Sequence, residues 1–85
     1  MNTARYKRTL EGFAGIAKLY QLTPPIDTAI KFVVVSATDG YSGPETYIFP
    51  ADRQGRVTHW GELAGSFRGS LDHEKALRNA GYTVA

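Results

Sequence analysis

The chain has 85 residues, 42% of them hydrophobic, no cysteine and a formal charge of +2. That is one globular domain with no room for a second core. It excludes disulfide scaffolds, cysteine-ligated zinc or iron–sulfur sites and thiol catalysis.

Residues 1–8 are polar and basic, with Arg5, Lys7 and Arg8 around Tyr6. They read as a flexible arm, leaving 9–85 as the folded domain. The apolar stretch Gly12–Ala17 lies between Glu11 and Lys18 and is shorter than a signal-peptide core. No window approaches the ~20 apolar residues of a membrane span. A soluble cytoplasmic protein without membrane association is expected.

Leu10, Phe13, Ala14 and Ala17 follow helical spacing, but Gly12 and Gly15 oppose a helix. Ala17–Thr23 fits a strand stopped by Pro24-Pro25, and a strand is preferred there. Ile30–Thr38 gives the clearest strand signal. Phe32, Val33, Val34 and Val35 follow one another directly, so both faces are apolar and the strand should be central. Asp39-Gly40 and Ser42-Gly43-Pro44 then mark a turn.

Glu45–Phe49 reads as the next strand, Asp52–Gly55 as a turn, and Arg56–Trp60 as the returning strand of a hairpin. Residues 61–70 hold three glycines and two serines and read as a loop. A helix of about ten residues is expected after Ser70, its N-cap. Gly81 is placed to close it in a left-handed conformation, with Tyr82 packing back on Leu77. The expected fold is α+β: a small antiparallel sheet of three to four strands, with one C-terminal helix packed on a face.

The pattern Gly43–Asp52 (GPETYIFPAD), then Trp60–Leu63 (WGEL) and Ser66–His73 (SFRGSLDH), resembles small uncharacterised proteins of bacteria and their phages. The resemblance covers roughly the last half of the chain. It implies no catalytic residues. It points instead to a phage or mobile-element accessory protein, of which an inhibitor of a host defence complex, of the anti-CRISPR kind, is one form.

Candidate chemistry is sparse. His59 and His73 could meet near Asp72 and Glu74, but their spacing is no metal motif and they read as structural. Ser42, Ser66 and Ser70 lack the context of a nucleophile. The Gly65–Ser70 loop with Arg68 could face an anion, but it reads as a connector. No enzymatic activity, metal or cofactor is expected.

Two surfaces remain. Loop aromatics and arginines, namely Tyr41, Arg53, Trp60, Phe67 and Arg68, have the composition of a protein interface. Docking on a partner protein is therefore the leading expectation. The second is nucleic-acid binding through Arg5, Tyr6, Lys7 and Arg8. Three of the ten cations lie in residues 1–8, so residues 9–85 hold seven cations against eight anions. A small homo-oligomer with a structural role is the third expectation.

Overall fold

A computed structural model describes residues 2–40 and 43–85. In chain order it contains β1 (Thr3–Leu10), β2 (Ile16–Ile26), β3 (Ile30–Gly40), β4 (Gly43–Ala51), β5 (Phe67–Arg68), α1 (His73–Asn79) and β6 (Thr83–Val84). The six strands form one sheet in the order β5-β4-β3-β2-β1-β6, curled into a half-barrel. The expectation of a three- to four-stranded sheet with a packed helix is therefore corrected. The protein is mostly sheet, and its helix is only seven residues long.

Strands β1 to β4 form an antiparallel meander. β3 is central, as its apolar run requires. Residues from Phe32 through Ala37 are all buried. β6 instead lies parallel to β1, pairing Thr3 with Thr83 and Ala4 with Val84. A parallel pair needs a crossover, and the segment carrying α1 supplies it by passing over one face of the sheet.

That face holds the larger core. Ala4, Tyr20, Leu22, Val33, Val35 and Ile48 pack against Ala76, Leu77 and Tyr82. The other face holds a smaller core of Ala17, Leu19, Phe32 and Val34. Its cover is two turns rather than a helix: Leu10, Phe13, Ala51 and Val57 pack on it.

Several local expectations shift. The basic segment read as an arm forms most of β1, tied down by Ala4 at 0% exposure. The strand at 17–23 starts a residue earlier and runs through Pro24-Pro25 to Ile26. The returning hairpin strand shrinks to one bridge between Ala51 and Val57, with the Thr58 N–H donating to the Pro50 carbonyl at 2.9 Å. The helix N-cap is Asp72, whose carboxylate accepts the Lys75 N–H at 3.0 Å, rather than Ser70. Ser70 instead gives its carbonyl to the Thr46 hydroxyl at 2.9 Å. The helix end forms as its sequence demands. Gly81 has φ +93°, and the Tyr82 and Gly81 N–H groups donate to the Leu77 and Arg78 carbonyls, both at 2.9 Å.

Tyr20 sits in the larger core, 3% exposed. Burial, with the Glu74 carboxylate and Tyr6 nearby, pushes its hydroxyl up to about 12. The folded state thus favours the neutral phenol, and its contribution to stability is complete below the ordinary value of 10.0. As pH rises from there toward 12, that contribution is lost. The urea midpoint should fall across this window, and Tyr20→Phe should flatten the fall. An equal fall in the variant would assign it to other groups.

Candidate functional site

The face opposite α1 carries the candidate site, and a bulge in β1 builds it. In a regular strand successive side chains alternate between faces, so residues 5 and 8 point apart. Here Arg5 pairs with Gln21 and Tyr6 with Tyr20, but Arg8 pairs with Leu19, leaving Lys7 unpaired. The extra residue resets the alternation. Arg5 and Arg8 consequently share one face.

Cross-strand partners lie on the same face, so two rows can be followed across the sheet. One runs Arg5, Gln21, Phe32, Ala51, and the next runs Arg8, Leu19, Val34, Phe49. Two shallow depressions lie along them. One, of about 290 Å³, is lined by Thr3, Arg5, Gln21 and Thr23. The other, of about 380 Å³, is lined by Lys7, Arg8, Leu19, Gln21, Phe32 and Arg53. They adjoin at Gln21, and the pair is called the groove below. Neither lining includes a carboxylate.

Arg53 reaches this groove from the Asp52–Gly55 turn. The Gly55 N–H donates to the Asp52 carbonyl at 3.0 Å, and Gly55 takes φ +89°, conformationally natural for glycine. Gly55 also rests against Leu10; a Cβ there would lie 2.7 Å from a Leu10 methyl. The Arg8 guanidinium donates to the Gln54 carbonyl, fastening the turn to β1. Asp52 accepts from the Arg56 backbone N–H at 2.9 Å and pairs with its guanidinium at 3.1 Å. Those hydrogen bonds hold the half-buried Asp52 carboxyl below its usual range.

The same face continues into an aromatic cluster. Phe49 shares it with Val34, and Trp60 stands edge-on to Phe49, their centroids 5.2 Å apart. Phe13 lies 6.2 Å from Trp60, and Tyr47 lies 6.2 Å from Phe49. Trp60 is 67% exposed.

The structure places four of the five expected interface residues. Tyr41 lies outside the described residues. Arg53 belongs to the cationic groove. Phe67 packs against the larger core, with the Lys75 ammonium 4.8 Å above its ring. Arg68 donates to the Tyr47 hydroxyl at 3.2 Å and lies 3.8 Å from Glu45. Among the described members, Trp60 is the largely exposed aromatic.

Of the expected nucleic-acid set, Arg5, Lys7 and Arg8 line the groove and Tyr6 does not. Tyr6 faces the helix side, edge-on to Tyr20 at 6.0 Å. Sequence reasoning missed Gln21 and Phe32 as groove floor, and missed that Arg53 joins the β1 cations. Only the register across four strands brings these together.

The histidines stay apart in function. The His59 ring nitrogen Nδ1 accepts the Gly61 N–H at 2.9 Å, and His73 Nε2 donates to the Ile16 carbonyl at 2.9 Å. Ser66 stitches the sheet edge: its hydroxyl donates to the Leu63 carbonyl at 2.8 Å and accepts the Ile48 N–H at 2.9 Å.

No helix among the described residues is long and apolar enough to cross a membrane. Comparison with protein-family models, curated proteins and solved structures gives no match.

Proposed function

We propose that this chain is a nucleic-acid-binding protein that acts without chemistry, holding phosphates in the groove over β1 and β2. One observation carries the reading: Arg5, Lys7, Arg8 and Arg53 line two adjoining depressions that share Gln21, and neither lining includes a carboxylate. Such a concentration of like charge gains most from a polyanion, which releases its own counterions on binding. Gln21, Thr3 and Thr23 add neutral hydrogen-bonding groups between the cations.

The test is a titration of the intact protein with a labelled oligonucleotide across a salt series, read by fluorescence anisotropy. Four phosphate contacts on a single strand give a slope of log K against log salt of about −3. Absent binding, or affinity indifferent to salt, would overturn the reading.

A second reading rests on Trp60. A large aromatic held by Phe49 and Phe13 yet 67% exposed suits a protein partner. In that reading the chain is an accessory protein of the phage type that docks on and blocks or recruits its target. Support would be a host protein retained from nuclease-treated lysate by the wild type but not by Trp60→Ala.

A further inference from the structure

We infer that the nucleic acid this protein takes is single-stranded, and that Trp60 is the platform on which one of its bases stacks. The inference rests on the nucleic-acid reading above and adds the substrate class and a second contact.

The groove and the aromatic cluster lie on the same side of the sheet, on either side of the turns that cover Leu19 and Val34. The row from Arg8 through Leu19 and Val34 ends at Phe49, against which Trp60 stands. Three strand spacings separate Arg8 from Phe49, about 14 Å. That is the span of a few nucleotides. Between the two ends lies the turn that carries Arg53 and Arg56, with Val57 packed on the smaller core beneath. Arg53 stands on the groove side of that turn, while the Arg56 guanidinium is paired with Asp52 at 3.1 Å.

The chemistry of the two ends differs. Guanidinium and ammonium groups serve phosphates on any nucleic acid. An indole with two-thirds of its surface in water serves something flat and apolar. In a duplex the base faces are stacked on one another and closed to it. In a single strand they are free, and stacking on an aromatic needs no particular base. Phe49 and Phe13 hold the indole in place, so less side-chain freedom is lost when a base arrives.

Trp60 is the chain's one tryptophan, so its emission reports this contact directly. The experiment adds an oligothymidylate of about twelve nucleotides, within the usual site sizes of single-strand binders. A duplex of the same length and a heparin fragment are titrated in parallel. Anisotropy follows binding while tryptophan emission follows stacking. The expected result is quenching by oligothymidylate but not by duplex or heparin. Trp60→Ala should weaken oligothymidylate binding about tenfold and leave heparin binding unchanged, and Trp60→Phe should recover most of the loss. Binding without quenching, or a Trp60→Ala variant as tight as wild type, would overturn the stacking inference while leaving the phosphate groove intact. Equal quenching by heparin would overturn it too. Absence of binding to all three probes would remove both readings.

Discussion

Replacing Arg5, Lys7 and Arg53 with glutamine lowers oligonucleotide affinity by two to three orders of magnitude at about 50 mM salt, and has almost no effect near 1 M. The reasoning is one of counterions. Each cation that meets a phosphate on a single strand contributes about 0.7 to the salt slope, so losing three removes about 2 of the expected 3. Over slightly more than one decade of salt that amounts to several hundredfold. The three side chains are exposed, so neutralising them leaves both cores untouched. Arg8 is spared because its guanidinium also fastens the turn at Gln54. Anisotropy titrations at the two salt concentrations check this. An unchanged low-salt affinity would show that the groove is not where phosphates bind.

Leu77→Ala should destabilise the fold by about 3–4 kcal/mol, within the range for a fully buried leucine. Leu77 is 1% exposed and belongs to the core that joins α1 to Tyr20, Val33, Val35 and Ile48. Its carbonyl also receives the Tyr82 N–H that closes the helix. A domain of this length is stable by roughly 4–13 kcal/mol, so the loss takes a large share. Leu71→Ala, at a site 52% exposed just before the helix, should change stability by no more than about 0.5 kcal/mol. Urea unfolding followed by circular dichroism compares them. Tryptophan emission is unsuited to this, because Trp60 is largely exposed in the folded state. Equal midpoints for the two variants would mean that α1 contributes little to the core.

How much of this was legible in the sequence depends on how each element is buried. β3 announced itself because its middle is covered on both faces, so Phe32, Val33, Val34 and Val35 are apolar in unbroken succession. The helix end was legible because its closure is chemical and local, in Gly81 and the residues around it. β1 was hidden. Only Ala4 is buried in it, the rest being exposed or half-buried, so the apolar alternation that marks a strand is missing. The bulge at Lys7 then breaks what alternation remains. β5 and β6 are two residues each, too short to show a period, and they exist because neighbouring strands offer them partners. Undercounting strands in this way turned a six-stranded curled sheet into an expected small α+β fold. The groove was illegible for a related reason. Arg53 lies far along the chain from Arg5, and only pairing through β2, β3 and β4 brings their faces together.

The bulge has a consequence for how these molecules meet one another. β6 pairs with β1 at Thr3 and Ala4, and beyond them no strand among the described residues pairs with the outer side of β1. An unpaired strand edge is a template for stacking copies into a continuous sheet. Here the extra residue disrupts the edge, and Arg5, Lys7 and Arg8 place like charges where two copies would join. The cations proposed to hold phosphates thus also stand where edge-to-edge assembly would set like charges together. If the proposed polyanion neutralised them it would lift that repulsion, so ligand binding and resistance to edge-to-edge assembly would draw on the same three side chains.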